Sequence, residues 1–590
     1  MIYRAPVKDM LFTMKELAGL DELTKLPGFE DAGEETAATV LAASAKLTED
    51  VVAPLNATGD KNPSSFKDGQ VTTTPGFKDA FQQYVEGGWQ GVQHPPALGG
   101  QGLPKLISAA CMEMLDSANL SFALCPLLTD GAIEALLVAG TPEQQQAYVP
   151  NLIAGKWTGT MNLTEPQAGS DLALVSTRAD PGGDGTYRLH GTKVFITYGE
   201  HDLSENIIHL VLARVAGAPE GVKGISLFIC PKVLADGTRN DIQCVSIEHK
   251  LGIKASPTAV LQFGDADGAV GYLVGKENRG LEYMFVMMNA ARYAVGVQGV
   301  GVAERAYQGA VAYARERIQG RPLDGSLPGA GPIINHPDVR RMLMTMRALT
   351  EGSRAMALVA AAMHDVAHAH PDEAVRARNQ AAYEFLVPLV KGFSTEMSVE
   401  VASLGIQVRG GAGYIEESGA PQLMRDARIL SIYEGTTAIQ ANDLVGRKTM
   451  RDGGRTARAL AGMMEETEAA LQTQGGTAVV VAARLGTARK AFLEVVDFVL
   501  KHGKSNPNAV FAGAVPYLML TSQLVAGWQL ARGLLAAERS LARGVDADFM
   551  RAKVVTARFF ADHVLSQAQS WRDRVVEGAS SITDLSLDSF

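Results

Sequence analysis

The chain has 590 residues, too many for one core, so several domains or an assembly of three or four layers are expected. Apolar residues make up 46% and charged residues 20%, an ordinary soluble balance. The net charge of −10 argues against a general binder of phosphate backbones, so no nucleic-acid partner is expected.

Residues 1 to about 160 are predicted helical. ETAATVLAASAKLTEDVVAPL and FKDAFQQYVEGGW carry apolar residues at helical spacing. KLISAACMEMLDSANLSFALCPLLTDGAIEALLVAG is apolar nearly all round and should be buried. Thr141-Pro142 with Glu143 is a helix-start signal. From about 160 to about 275 come short β-rich runs, YRLHGTKVFIT, IIHLVLARV, GISLFIC, QCVSIEH and AVLQFG, separated by turns such as PGGDG and DADG. They predict an all-β insert, a small barrel or sandwich.

The helical period then returns. GLEYMFVMMNAARYAVGVQGVGVAERAYQGAVAYARERI contains Gly296, Gly299, Gly301 and Gly309, each weakening a helix by about 1 kcal/mol relative to alanine. Close approach of a neighbouring helix is the expected use. DVRRMLMTMRALTEGSRAMALVAAAMHDVAHAH and AVRARNQAAYEFLVPLVKGFSTEMSVEVASLG are two further long helices, the second expected to kink at Pro388. RDGGRT, 451–456, resembles a linker, and about four more helical segments follow it as an appended bundle.

Cys111, Cys125, Cys230 and Cys244 form no CxxC pair, so disulfides and a zinc site are not expected and a reducing compartment is. The N-terminus lacks a signal-peptide core, and no apolar run is judged long enough to cross a bilayer. A cytoplasmic protein without membrane insertion is expected. His364, His368 and His370 cluster at a helix end, where they suit the helix dipole better than a metal.

There is no P-loop, no Rossmann GxGxxG after a strand and no HExxH. Four segments stand out instead. MNLTEPQAGSDL, 161–172, makes a tight turn at Pro166, Gly169 and Ser170, with hydroxyls at Thr164 and Ser170 that could cradle a polar ring edge or a phosphate. GTKVFITYGE, 191–200, sets Phe195 and Thr197 alternately with Ile196. QVRGGAGY, 407–414, has a backbone that something can approach closely. Read locally, each of the last two is a strand and its turn. SIYEGTTAIQ, 431–440, holds one acid, Glu434, in a mostly uncharged run. An unpartnered buried carboxylate is costly or protonated, so the local reading is a turn residue or a helix first-turn acid.

Together the motifs resemble the acyl-CoA dehydrogenase family. LTEPQAGSD, TKVFIT, ARERIQGRP, QVRGGAGY and LMRDARILSIYEGTT follow in that family's order and spacing, over about residues 40 to 450. The resemblance implies an α+β acyl-CoA dehydrogenase fold. Its parts would be an N-terminal extension, 1–36; an N-terminal helical domain, 37–159; and a middle β-barrel or sandwich domain, 160–276. A C-terminal four-helix bundle would follow over 277–450, and an extra C-terminal helical bundle over 451–590. It implies FAD as cofactor and oxidation of an acyl-CoA thioester to the trans-2-enoyl-CoA.

Residue by residue, the resemblance makes Glu434 the base that removes the α-proton, in surroundings poor in water. The Glu434 N–H and a flavin ribose hydroxyl would polarise the thioester carbonyl. Relatives that place the base elsewhere do so just before Arg292, where this chain has Ala291. FAD contacts are implied at Met161, Leu163, Thr164, Gly169, Ser170, Phe195, Ile196, Thr197, Arg317, Gln407, Gly410, Gly411 and Thr436. Of these, Gln407, Gly410 and Gly411 would reach the FAD of a neighbouring subunit. Substrate contacts are implied at Ser170, Asn289, Arg292, Tyr433 and Gly435. Phe195 replaces a frequent tryptophan, Asn289 a common aspartate and Ala438 a frequent glutamine, and ERIQGRP is one residue shorter than the common form.

YRAPVKDM and the appended bundle resemble a larger bacterial subgroup that includes 3-methylmercaptopropionyl-CoA dehydrogenases and fatty acyl-CoA dehydrogenases. The resemblance implies 3-methylmercaptopropionyl-CoA or a short to medium straight-chain acyl-CoA as substrate, with a long-chain β-oxidation enzyme as the alternative. It also implies an electron-transfer flavoprotein as acceptor, and a homodimer because the bundle would cover the surface that pairs smaller relatives into tetramers. Rival readings are an acyl-CoA oxidase, a flavin monooxygenase and a nucleic-acid-binding member. Glu434 argues against the second and the acidic charge against the third.

Overall fold

Helix starts follow local chemistry. Thr141 Oγ1 accepts from the Gln144 N–H while the Gln144 side chain accepts from the Thr141 N–H, a capping box that starts helix Pro142–Ile153. Asn119 caps Leu120–Ala139 and Asp372 caps Glu373–Arg409 through their side-chain oxygens. The computed structural model describes residues 2–590, which fall into two units.

The first unit comprises Lys46–Leu103 and Ala118–Ala294. Its β1 (Ser65–Lys67) and β2 (Gln70–Thr72) form a hairpin inside the stretch expected to be helical. The turn is Asp68-Gly69, both at positive φ, the Asp-Gly signal of a tight hairpin. Eight further strands follow: β3 (Trp157–Asn162), β4 (Arg178–Pro181), β5 (Tyr187–Thr197), β6 (Asn206–Val215), β7 (Ser226–Pro231), β8 (Ile242–Ile247), β9 (Thr258–Phe263) and β10 (Ala269–Val274). The order β10-β7-β6-β4-β5 closes on itself because β10 also pairs with β5, Ala269 opposite Leu189. The expected barrel or sandwich is thus a closed ring, extended by β9 and β8 and flanked by β3, which runs parallel to β6. Leu189, Val211, Phe228, Leu261 and Phe263 fill it.

One expectation is corrected here. Helix Leu120–Ala139 is long and apolar enough to cross a bilayer by length and composition. It is mostly buried in this unit: Phe122 meets the ring of Phe77 at 5.5 Å, and Tyr198 Oη donates to the Ser121 carbonyl at 2.7 Å. A Cβ on Gly159 of β3 would lie 2.4 Å from Ala132 Cβ, so only glycine lets strand and helix come this close.

The second unit comprises Met1–Ala45, Pro104–Ser117 and Val295–Phe590. Helix Gly280–Glu316 runs on into it and packs, from residue 295, against Glu373–Arg409. A Cβ at Gly296 would lie 2.5 Å from Val390 Cγ1, and one at Gly299 2.4 Å from the Ser394 carbonyl oxygen. The small residues therefore admit the neighbouring helix, as expected. Glu373–Arg409 is one helix through Pro388.

Beyond residue 450 the expected linker is a short turn, Asp452–Gly454, between a π-helical stretch, Leu444–Arg451, and helix Arg455–Gln472. Four long helices (Arg455–Gln472, Gly476–His502, Ala514–Ala542, Ala547–His563) and three short α-helices (Pro507–Ala512, Ala568–Val576, Ala579–Thr583) follow. They pack within this unit: Gly352 lies against Ala526 and Phe560, and Gly392 against Leu518. Helix Val7–Glu16 buries Met10, Phe12 and Met14. Its Asp9 accepts from Arg354 Nη1 at 2.7 Å and from Lys553. Arg354, 1% exposed, also donates to Glu113 and Glu304, each at 2.6 Å, and Lys553 to Glu351 at 2.9 Å. All four cysteines are free and buried.

Candidate active site

In the second unit, residues 431–436 form a loop between helices Ala420–Arg428 and Thr437–Asp443. The Thr437 N–H donates to the Ser431 carbonyl at 3.1 Å and closes it. Glu434 sits half-buried with φ +55°, a left-handed conformation that non-glycine residues rarely adopt, and Gly435 follows at +86°. Such strain, about 1–3 kcal/mol, persists only where the surroundings hold it. They do. Lys391 Nζ donates to the Gly435 carbonyl at 2.6 Å, and Gln440 Nε2 to the Glu434 and Gly435 carbonyls, each at 3.2 Å. Tyr433 Oη donates to Gln298 Oε1 at 2.5 Å. Thr436 caps the following helix, accepting from the Ile439 N–H at 3.3 Å. Glu434 is not the first-turn acid of a helix, and on its turn it is half-buried and not exposed. It is an acid presented on a pinned, strained loop.

In the first unit, the 161–172 loop and β5 come together. The Val194 N–H donates to the Thr164 carbonyl at 3.0 Å. Lys193, fully buried, donates through Nζ to the Leu163 carbonyl at 3.0 Å and to Glu165 Oε1 at 2.8 Å. Glu165 also accepts from the N–H and hydroxyl of Ser176, the N–H and hydroxyl of Thr177 and the Gln167 amide. Burial alone would raise its carboxyl pKa, but Lys193 and these donors outweigh that and pull it down to about 2. Around this ionised anchor, Met161 and Thr164 are half-buried, Leu163 is buried, and Gly169 and Ser170 are exposed. A Cβ on Gly169 would meet nothing within 4 Å.

β5 breaks register against β9 between Lys193 and Ile196. The bulge turns Phe195 outward, 63% exposed with φ +60°, while Ile196 enters the core and Thr197 is half-buried. The expected alternation holds, with an exposed aromatic ring kept on a strained backbone beside hydroxyl groups. Asn289 and Arg292 lie one turn apart on helix Gly280–Glu316, the first exposed and the second buried, with Ala291 also buried.

The other positions lie on the second unit's surface. Arg317 is exposed just past the end of helix Gly280–Glu316, its carbonyl accepting from the Ile333 N–H at 2.8 Å. Residues 407–414 are not a strand and its turn. Gln407 is exposed in the last helical turn of Glu373–Arg409, and Gly410–Tyr414 is a 3₁₀ turn. The sequence has no strand-like alternation there, and Gly410 at φ +59° ends the helix. Cβ atoms at Gly410 and Gly411 would meet nothing within 4 Å, and Tyr414 beside them is 82% exposed. His364 and His368 stack with ring centroids 4.0 Å apart, and among the described residues no group of three or more His, Cys, Asp and Glu could hold a metal.

Four supporting residues were not anticipated: Glu165, Lys193, Lys391 and Gln298. Lys391 left a signal, a lone cation in the apolar run FLVPLVKGF. Glu165 and Lys193 lay inside motifs already noted, but their pairing needs the fold. Gln298 left none, since a glutamine on an otherwise apolar helix is ordinary.

Four family models match along the chain: acyl-CoA dehydrogenase, N-terminal domain, over residues 35–156; its middle domain over 160–266; its C-terminal domain over 278–448; and acetyl-CoA dehydrogenase C-terminal like over 460–586. The chain is 53% identical to the 3-methylmercaptopropionyl-CoA dehydrogenase of Ruegeria pomeroyi over 592 residues, with 100% of each covered. It is 36% identical to the broad-specificity linear acyl-CoA dehydrogenase of Mycobacterium tuberculosis, again with 100% of each covered. An acyl-CoA dehydrogenase complexed with FAD from Bacillus anthracis shares the fold: TM-score 0.75 and 22% identity, covering 96% of this chain and 92% of that one.

Proposed function

The chain belongs to the acyl-CoA dehydrogenase family, and on that premise we propose that it oxidises 3-methylmercaptopropionyl-CoA, or an acyl-CoA of similar short to medium length, to the trans-2-enoyl thioester. The substrate reading rests on the full-length likeness to a relative of that name. FAD, the cofactor of this family, would when bound supply the acceptor for the hydride lost from the β-carbon.

Glu434 takes the α-proton, and the electron pair of that C–H bond becomes the new double bond. The observation that carries this role is the left-handed backbone at Glu434, held by Lys391 and Gln440. A carboxylate held this way loses little freedom when it meets a substrate. The Glu434 N–H is the chain's donor to the thioester carbonyl. Asn289, Arg292, Tyr433 and Gly435 serve the substrate end, and Ser170 serves both substrate and flavin.

The first unit fits the flavin. Hydroxyls at Thr164, Ser170 and Thr197 suit the polar edge of a ring system, and the outward Phe195 suits its apolar face. Arg317, Gln407, Gly410, Gly411 and Thr436 are the remaining cofactor residues, the exposed 410–414 turn serving a second subunit. Electrons leave to an electron-transfer flavoprotein. The homodimer reading is supported by the C-terminal helices packing on Gly352 and Gly392, which already covers those helix faces within one chain. The cytoplasmic reading is supported by four free, buried thiols.

Anaerobic bleaching of the flavin by a panel of CoA thioesters tests the substrate. Fast bleaching by 3-methylmercaptopropionyl-CoA and butanoyl-CoA alone supports the proposal, and fast bleaching by palmitoyl-CoA overturns it. Glu434→Gln should keep bound FAD and substrate affinity but lose bleaching. A light-scattering mass of four chains would overturn the dimer.

A further inference from the structure

Three buried polar atoms lie behind the Glu434 loop without a hydrogen-bond partner: both carboxyl oxygens of Asp116 and the amide nitrogen of Gln298. Asp116 is 2% exposed and Gln298 is fully buried. Isolated groups of this kind are expensive inside a protein, so their meeting at one place calls for a reason.

The packing fixes their neighbourhood. A Cβ on Gly301 would stand 2.9 Å from Asp116 Cβ, so helix Lys105–Ala118 touches helix Gly280–Glu316 there. Gln298 lies one turn before Gly301 on the same face. Its Oε1 accepts the Tyr433 hydroxyl, which leaves its Nε2 to the Asp116 side, where Gln298 favours the charged carboxylate without reaching regular hydrogen-bond geometry. Burial nevertheless dominates and pushes the Asp116 carboxyl well above its usual range. Glu113, one turn earlier, pushes the same way, which disfavours a second negative charge beside Glu434. Burial, the largest cause, raises the Tyr433 phenol, so its hydroxyl keeps the proton it donates.

Tyr433 immediately precedes the strained Glu434. On the far side, Gly435 is held by Lys391 and Gln440. The near side has Tyr433 and its bond to Gln298, apart from the Tyr433 N–H bond to the Ile429 carbonyl at 3.1 Å. A side chain aimed at a C–H bond loses much of its rate when displaced by about 1 Å.

We infer that Asp116, Gln298 and Tyr433 form a positioning relay that fixes the direction of the Glu434 carboxylate. The relay rests on Glu434 being the base. Asp116 seats the Gln298 amide, Gln298 seats the Tyr433 hydroxyl, and Tyr433 holds the near end of the loop. Asp116 and Gln298 act through Tyr433 and not on the reacting atoms.

The test separates proton removal from flavin reduction. A CoA thioester with an ether oxygen in place of the β-methylene loses no hydride, so exchange of its α-hydrogens in D₂O, followed by NMR on the FAD-loaded enzyme, reports the base alone. Glu434→Gln should abolish exchange. Gln298→Leu and Tyr433→Phe should each slow it roughly 10- to 100-fold, and Gln298→Leu should change the dissociation constant of the same thioester less than about threefold. The double variant should be no slower than the slower single one, because both break one chain of contacts. Asp116→Asn, similar in shape and neutral, should stay within about threefold of the parent, whereas Asp116→Leu should fall with Gln298→Leu.

Tyr433→Phe removes one hydroxyl and keeps the test open if Gln298→Leu does not fold. Near-parent exchange in Tyr433→Phe, or additive losses in the double variant, would overturn the relay while leaving the base in place. Exchange that survives Glu434→Gln would instead remove the base assignment on which the relay stands.

Discussion

Lys391, buried in helix Glu373–Arg409, gives its ammonium group to the backbone carbonyl of Gly435 at 2.6 Å, next in sequence to the strained Glu434. A cation in the core tethers the loop that presents the acid. Methionine there would fill similar space and drop the tether. Lys391→Met should slow flavin bleaching by about tenfold or more through the misplaced carboxylate. The lost charge-assisted bond should lower stability by about 1–3 kcal/mol. Stopped-flow absorbance and urea midpoints measure the two effects, and an unchanged bleaching rate would make Lys391 a packing residue only.

The Lys193–Glu165 pair predicts a stability effect in the other unit. Removing one member of a buried pair typically destabilises by about 3–5 kcal/mol, so Lys193→Met should lower the urea midpoint strongly and lose FAD.

Acid should act through the same carboxylate. The folded Glu165 value, about 2, lies below that of the unfolded chain. The unfolded chain therefore binds the proton first. The stabilisation is complete above about pH 4.3, the unfolded glutamate value, and is lost as pH falls from there toward 2. Urea midpoints followed downward in pH should drop faster in the parent than in Glu165→Gln, and parallel curves would contradict the assignment.

Phe195 offers the opposite trade. Glycine relieves a left-handed backbone that costs a side chain roughly 1–2 kcal/mol, and the exposed ring makes few internal contacts to lose. Phe195→Gly should leave the FAD-free protein as stable as the parent or more so, while FAD dissociates more readily. Flavin release on dilution and urea midpoints without FAD check both halves.

Two glycine substitutions should part company. Gly299→Ala forces a methyl to 2.4 Å from the Ser394 carbonyl oxygen and should cost about 1–3 kcal/mol through overpacking. Gly411→Ala has open space around it and should leave stability near that of the parent, so any loss of bound flavin there would come from the proposed contact with a second subunit.

The helix–β–helix order and the loops that carry Glu434 and Thr164 were legible because each rests on local pattern. The 3.6 and 2.0 periods mark the elements, and YEG and TEPQAGS are contiguous. Phe195, Ile196 and Thr197 were legible for the same reason. What stayed hidden depends on residues far apart in sequence: Lys193 with Glu165, Lys391 with Gly435, Gln298 with Tyr433. Two local readings also failed. Helix Leu120–Ala139 is long and apolar enough to cross a bilayer, against expectation, although its burial, expected from its all-round apolar sequence, holds. The 407–414 stretch reads locally as a strand and its turn, but the helix of the residues before it runs on to Arg409 and ends at Gly410.

The buried cluster around Arg354 has a consequence for how the polypeptide is made. Asp9 meets Lys553, 544 positions later. At about 5–20 residues per second, the opening helix waits roughly half a minute to two minutes on the ribosome before its lysine partner exists. Until then Asp9, Glu113 and Glu304 can share only Arg354, and Phe12 lacks the Ala536, Ala537 and Met550 cluster that later encloses it. Helix Val7–Glu16 is thus among the last elements to find its final place, and a chain that stops short of Lys553 leaves Asp9 with Arg354 alone.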